Sequence, residues 1–129
     1  MSTYPQDLRY TPDHEWLRAQ GKSWRVGITQ FAVDSLGDIT LVDLPKEGDL
    51  VTKGQRFGTI ESVKSVSDLY APVSGRVVTV NAALKTSPEL VNSEPYAGGW
   101  MIDLEPTEKA EIDDLLTPDA YAKHVAAAG

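Results

Sequence analysis

The chain has 129 residues, about the length of one domain, and 41% of them are hydrophobic, which is enough for a core. Its 12 Lys and Arg and 19 Asp and Glu give a formal net charge of −7, with no basic stripe of the kind that binds nucleic acid. No apolar run approaches the roughly 18 residues that cross a membrane, and the first residues resemble neither a signal peptide nor a transit peptide. We expect a soluble single domain over residues 1–129. The location expected is the bacterial cytoplasm, or the mitochondrial matrix if a transit segment has been removed.

Alternating apolar residues predict strands in the first two thirds of the chain. Trp24, Val26 and Ile28 alternate with polar or small residues, which is typical of a strand buried on one face. Thr29 is then expected to cap a short helix that Gly37 ends. Further strands are predicted at residues 39–44, the more buried one, and at 57–60, 69–73 and 76–80.

The last third of the chain changes to helical patterns. Pro88 favours a short helix that ends near Asn92, and a last strand is predicted over 100–104. Thr107 and Thr117 are each expected to cap a helix. The chain should therefore end in a helical extension over about 107–126.

Two six-residue segments, 37–42 and 75–80, have similar patterns. If this echo is a true repeat, two half-units are joined by a hairpin over about 54–75. Short echoes also arise by chance in sequences rich in strands, so both explanations stay open.

Two absences make the side chains of this protein poor candidates for covalent catalysis, although a Ser–His–Asp triad stays open. The chain has no Cys, which excludes disulfides, thiolate nucleophiles, iron–sulfur clusters and thiolate zinc sites. Its two histidines, His14 and His124, lie far apart in sequence and offer no metal-ligand spacing. GxSxG, GxxxxGK and GxGxxG motifs are missing as well. A prosthetic group is the better place to look for reactive chemistry.

Lys64 lies in the middle of the predicted hairpin, ten residues after Gly54 and eleven before Gly75. A lysine at a hairpin tip is held rigidly while its amine reaches solvent, which suits modification by another enzyme. Lysines also occur in turns simply to protect a sheet edge from pairing. The spacing alone leaves both explanations open.

The sequence around Lys64, GDLVTKGQRFGTIESVKSVSDLYAPVSGRVVTVN, resembles the lipoyl-carrier signature, and most of all the H proteins of the glycine cleavage system. Biotin carriers typically have Met on both sides of the lysine, whereas Val63 and Ser65 stand here. Lipoyl domains of 2-oxoacid dehydrogenases commonly have an acid before the lysine and a flexible linker to a larger chain. The resemblance extends over nearly the whole chain, through segments at residues 10, 13–16, 26–29, 36–39, 43–45, 90–93, 95–96 and 99–101.

This resemblance implies a mainly β fold, a barrel-sandwich hybrid of two half-units with short helices and a helical C-terminal region. It also implies lipoic acid in amide linkage to Lys64. The chain would then be a monomeric carrier rather than an enzyme, shuttling the aminomethyl group of glycine. Its expected partners are glycine decarboxylase (P protein), aminomethyltransferase (T protein), dihydrolipoyl dehydrogenase (L protein) and lipoyl-attaching enzymes, with no nucleic acid and no membrane. Two alternatives stay open: a lipoyl reservoir for other lipoyl domains, or an unmodified β-barrel interaction module.

An aminomethyl group on sulfur is easily lost to water, so the loaded arm should be sheltered, with a carboxylate holding its cationic amine. Glu15 is the main candidate, followed by Asp68 and then Asp13; each could equally be an ordinary solvated acid. Glu61 could be read by the modifying enzymes, or pair across the hairpin. Trp16 is expected in the core, and His14 is expected to be structural.

Overall fold

Residues 4–128 are described by the computed structural model, and in this range they form nine strands and five helices. The strands are β1 (Arg9–Tyr10), β2 (Glu15–Gln20), β3 (Ser23–Ile28), β4 (Ile39–Asp43), β5 (Leu50–Val51), β6 (Arg56–Ser62), β7 (Val66–Tyr70), β8 (Gly75–Val80) and β9 (Ile102–Pro106). The helices are α1 (Gln30–Leu36), α2 (Ala83–Thr86), α3 (Leu90–Ser93), α4 (Lys109–Asp113) and α5 (Pro118–Ala128). Within the same range, no helix has the length and hydropathy needed to cross a membrane.

The strands pair into two antiparallel sheets, so the mainly β class is confirmed. The larger sheet has the order β1-β2-β3-β9-β8-β5, and the smaller has the order β4-β6-β7. Residues 39–42 of the first echo segment lie in β4 and the second echo segment forms β8, and these strands lie in different sheets. Side chains from both sheets meet in one core, whose members include Leu17, Val26, Val42, Ile60, Leu69, Val77 and Leu104. Burying such side chains supplies the main favourable free energy of folding.

A second apolar cluster packs the C-terminal helix against β1 and β2. Leu8, Tyr10, Trp16 and Tyr121 are fully buried there. The indole N–H of Trp16 donates to the carbonyl of Pro95 at 2.9 Å, as a buried indole requires. Trp16 is therefore a core residue, as predicted.

Helix α1 has both predicted ends. The hydroxyl of Thr29 accepts a hydrogen bond from the Ala32 amide at 3.3 Å. Gly37 stops the helix at φ 83°, a conformation that costs glycine little, and its amide donates to the Val33 carbonyl at 3.0 Å.

Three predicted strands are displaced or more exposed than expected. Strand β4 is an edge of the smaller sheet, so Leu41 is 49% exposed and the expectation of greater burial is wrong. Strand β7 ends at Tyr70 rather than 73, because Pro72 has no amide hydrogen to donate to a ladder. Strand β9 begins at Ile102, two residues after the predicted start.

The helical C-terminal region is present, but its first helix differs from the prediction. The residue before α4 is Glu108, without a side-chain cap, and α4 ends at Asp113. Leu116 lies beyond it in a β-bridge to Tyr10. Thr117 caps α5 as predicted, accepting from the Ala120 amide at 3.2 Å. This helix brings Tyr121 into the second cluster.

Candidate lysine attachment site and adjoining cavity

Lys64 lies in the tight turn between β6 and β7. The amide of Ser62 donates to the carbonyl of Ser65 at 2.8 Å, which closes the turn. The Ser62 hydroxyl oxygen accepts from the amides of Ser65 at 3.1 Å and Lys64 at 3.4 Å. Serine in the first position of a turn commonly caps the following amides in this way. The backbone of Lys64 is thus fixed by its own neighbours.

The Lys64 side chain is exposed and lies beside the end of α1. Within residues 4–128 no carboxylate forms an ion pair with it. A Cβ placed on Gly37 would lie 3.3 Å from Cε and 3.9 Å from Nζ of Lys64. The stem of the lysine therefore follows the glycine that ends α1, and its amine is accessible to another protein.

A cavity of about 340 Å³ begins next to that glycine, at Ser35 and Leu36. Its walls come from the start of β2, from α1, and from β6 and β7, so both sheets contribute. The lining residues are Pro12, Asp13, His14, Glu15, Ile28, Phe31, Ala32, Ser35, Leu36, Ile60, Ser67, Asp68, Leu69 and Tyr70. We call this space the arm cavity.

Glu15 is the one candidate acid that is buried, with 2% of its surface exposed. The hydroxyl of Thr11 donates to its Oε1 at 2.6 Å. Burial raises the pKa of Glu15 to about 7, and the nearby charge of Asp13 adds to this shift. The hydrogen bond from Thr11 and a hydrogen bond from the backbone amide of Tyr70 oppose it. Near neutral pH this carboxyl group can therefore either hold or release a proton.

Asp13 and Asp68 line the same cavity but are exposed. A carboxylate oxygen of Asp68 lies 3.9 Å from Nη1 of Arg56, and both side chains are about half in solvent. Such a pair is screened by water and contributes little stability. The structure thus brings the three predicted acids together around one space, with only Glu15 shielded from water.

His14 forms part of a hydroxyl network behind the cavity. Its Nδ1 lies 2.8 Å from the Tyr121 hydroxyl, which in turn lies 2.7 Å from Oγ1 of Thr29. The His14 backbone has φ 73°, unusual for a residue with a side chain. Burial, helped by the nearby His124 and opposed by Asp13, lowers the pKa of His14. This neutral, hydrogen-bonded histidine agrees with the structural role expected for it.

Glu61 lies outside the arm cavity, on the exposed side of the hairpin. Its cross-strand neighbours are Leu41 in β4 and Val66 in β7. Both neighbours are apolar and largely exposed, at 49% and 64%. The residues directly opposite Glu61 are therefore both uncharged, and the two roles expected for Glu61 stay predictions.

Two residues of the site were not anticipated from the sequence. Thr11 is an unremarkable threonine four residues before Glu15, and only its hydrogen bond reveals its importance. Tyr121 is separated by 107 residues from His14, so no local pattern could join them.

Comparisons with known proteins agree with this geometry. The sequence model of the glycine cleavage H-protein family matches residues 8–128. A probable glycine cleavage system H protein of Haloarcula marismortui is 53% identical over 121 residues, covering 94% of this chain and 95% of that protein. The glycine cleavage system H protein of Listeria monocytogenes is 56% identical over 119 residues, covering 92% and 95%.

The same family appears among solved structures. The crystal structure of a glycine cleavage system H protein from Mycobacterium marinum superposes with a TM-score of 0.86 and 42% identity, covering 95% of this chain and 99% of that chain. The barrel-sandwich class expected from the sequence is thereby confirmed. The chain belongs to the glycine cleavage H-protein family.

Proposed function

We propose that this protein carries the aminomethyl group of glycine on a lipoyl arm attached to Lys64. Family membership supports the carrier role in glycine cleavage and does not favour the reservoir or the unmodified module. The observation that carries the choice of lysine is the turn itself: Lys64 is exposed, its backbone is held by Ser62, and its stem lies beside Gly37, the residue that follows Ser35 and Leu36 of the arm cavity.

Attachment requires little of the protein beyond presentation of the amine. The neutral form of the Lys64 amine attacks an activated lipoyl carboxyl group; the new C–N bond forms as the activating group leaves, and nitrogen loses a proton. The amide has no positive charge, so the stem becomes an uncharged tether. Because Lys64 has no ion pair among residues 4–128, no such interaction is lost there when this charge disappears.

The arm cavity suits such a tether. When bound, the lipoyl group would supply the redox-active sulfurs that a chain without Cys lacks. Ile28, Phe31 and Leu69 offer an apolar wall to a hydrocarbon chain, while Glu15 offers an acid farther in. The residues present therefore fit both parts of a loaded arm.

Glu15 is the proposed partner of the amine on the cargo. A cation nearby favours the ionised carboxylate and lowers its pKa, so a group with a pKa near 7 gives up its proton when the amine arrives. In a site shielded from water, the resulting charge-assisted hydrogen bond is strong. Asp68 and Asp13 are proposed as weaker partners, because water competes at both.

The proposed partners are three enzymes of glycine cleavage and the enzymes that attach the lipoyl group. Glycine decarboxylase, aminomethyltransferase and dihydrolipoyl dehydrogenase would each receive the arm, and Glu61 would be read by the lipoyl-attaching enzymes. The non-catalytic, monomeric state and the cytoplasmic location stay predictions.

Intact-mass measurement of the protein from its native host tests the attachment residue. We expect a lipoyl-sized mass increment that maps to Lys64, is lost in Lys64→Arg and is retained in Lys53→Arg, which alters an exposed lysine near the same sheet. Glycine–bicarbonate exchange in a reconstituted system should likewise be lost in Lys64→Arg and retained in Lys53→Arg. Exchange retained in Lys64→Arg would defeat the proposal.

A further inference from the structure

The side chain of Asn92 in α3 holds the short segment between α1 and β4. Its Nδ2 donates to the Gly37 carbonyl at 2.9 Å, and its Oδ1 accepts from the Ile39 amide at 2.8 Å. We call Gly37, Asp38 and Ile39 the α1–β4 link. One amide group thus satisfies a donor and an acceptor on either side of Asp38, where the chain passes from α1 to the first residue of β4.

The amide group of asparagine supplies both the donor and the acceptor that these two bonds require. An aspartate has no hydrogen to donate to the Gly37 carbonyl, and an alanine leaves both backbone groups without these partners. The Asn92 side chain is half-buried. Backbone groups that lose such partners away from water destabilise their segment.

The α1–β4 link is also what the lysine turn rests on. The amide of Val63, the residue before Lys64, donates to the Asp38 carbonyl at 3.0 Å. The Lys64 stem lies against Gly37, as described above. The first contact is with the central residue of the link and the second is with its first residue, and Asn92 bonds to the first and last residues of the same link.

We propose that Asn92 is a positioning residue for Lys64. By fixing the α1–β4 link, it fixes the hydrogen bond that orients the turn and the surface that the lysine stem follows. This inference rests on the proposed function, in which Lys64 is the residue that is acylated. It adds that a residue outside the hairpin determines how the hairpin presents the Lys64 amine.

The chain contains a matched control. Asn81 also uses one amide group to join segments, donating to the carbonyls of Gly98 and Trp100 and accepting from the Ala83 amide. It is 7% exposed, so its loss should destabilise the fold at least as much as loss of Asn92. Its hydrogen-bond partners belong to other segments than the α1–β4 link and the lysine turn.

The first test is amide hydrogen exchange on the unmodified full chain. In Asn92→Ala we expect the Val63 amide to exchange about tenfold faster, because its acceptor, Asp38, is no longer held. In Asn81→Ala the Val63 amide should keep its wild-type exchange rate. Both rates are measured under conditions in which urea titration shows that both variants are folded. Equal Val63 rates in the two variants would overturn the inference.

The second test is acylation by a lipoate–protein ligase with lipoate and ATP, followed by intact mass. A smaller population of correctly presented turns should raise KM by about tenfold in Asn92→Ala and leave kcat nearly unchanged. Asn92→Asp, which keeps only the bond to Ile39, should also raise KM and serves if the alanine variant does not fold. Asn81→Ala should match the wild type.

The two failures are distinguishable. If the wild-type chain is not acylated, or if Lys64→Arg is acylated as well, the proposed function fails. If the wild type is acylated at Lys64 while both Asn92 variants match Asn81→Ala in KM, the proposed function stands and the positioning role is wrong.

Discussion

The hydroxyl group of Thr11 donates a 2.6 Å hydrogen bond to Oε1 of Glu15, and both residues are almost completely buried. This one bond only partly offsets the cost of burying the carboxylate, because the pKa of Glu15 is still raised to about 7. The protonation of Glu15 in the folded protein therefore changes in the neutral pH range.

The first prediction is that Glu15 makes stability depend on pH. Between its ordinary pKa of 4.5 and its folded value of about 7, Glu15 binds a proton in the folded state and not in the unfolded state. Its contribution to the free energy of unfolding therefore falls as pH rises through this window, by about 3 kcal/mol in all. Glu15→Gln is neutral throughout, so the stability of the wild type relative to the variant should fall by that amount. Urea unfolding at about pH 4.5 and about pH 8 measures it; a constant difference would contradict the raised pKa.

The second prediction concerns the loaded protein. Glu15→Gln should release formaldehyde and ammonia from its aminomethyl cargo about tenfold faster at neutral pH, because a charge-assisted hydrogen bond to the amine is lost. Asp68→Asn and Asp13→Asn should have smaller effects, since both acids are exposed. The same rate in Glu15→Gln and wild type would show that Glu15 is not the partner of the amine.

The third prediction tests the hydroxyl network behind the cavity. Tyr121→Phe removes the oxygen that lies within hydrogen-bond distance of both His14 and Thr29, and should lower the free energy of unfolding by about 1–3 kcal/mol. Tyr70→Phe, at a side chain that is 36% exposed, is the control and should cost much less. If both changes cost the same in urea unfolding, the network contributes nothing to stability.

The fourth prediction concerns the close approach of Gly27 to Trp16. A Cβ on Gly27 would lie 2.5 Å from the indole ring, so Gly27→Ala must displace a fully buried side chain. We expect a loss of about 1–3 kcal/mol by thermal or urea unfolding. Gly98→Ala meets only the flexible carboxylate of Glu94, at 3.1 Å, and should be better tolerated. Equal losses in the two variants would argue against this packing.

Local signals in the sequence predicted local structure well. Thr29 and Gly37 bound α1, and Thr117 caps α5, because each of these interactions involves residues within four positions. The same reasoning failed at Thr107, where no side-chain cap forms. Alternation could not show that β4 is an edge strand, since that depends on which strand pairs with it; the exposure of Leu41 was therefore missed.

The site was predictable only in part. The spacing of Gly54, Lys64 and Gly75 indicated a hairpin with the lysine near its tip, and the turn has that form. Glu15 and Asp68 were separate candidates for one role, and no periodicity could show that they line the same cavity, because β2 and β7 are far apart in the chain. The hydrogen bonds of Tyr121 and Asn92 are long-range, so only the three-dimensional structure identifies them.

The Lys64 turn between β6 and β7 limits how the proposed carrier can assemble with its partners. One side chain can enter only one active site at a time, so two enzymes that both bind the proposed arm on Lys64 would form mutually exclusive complexes. Transfer between successive enzymes then requires complete dissociation and a new encounter. The overall rate of transfer would rise with the concentration of this protein relative to that of the enzymes, rather than with the stability of any one complex.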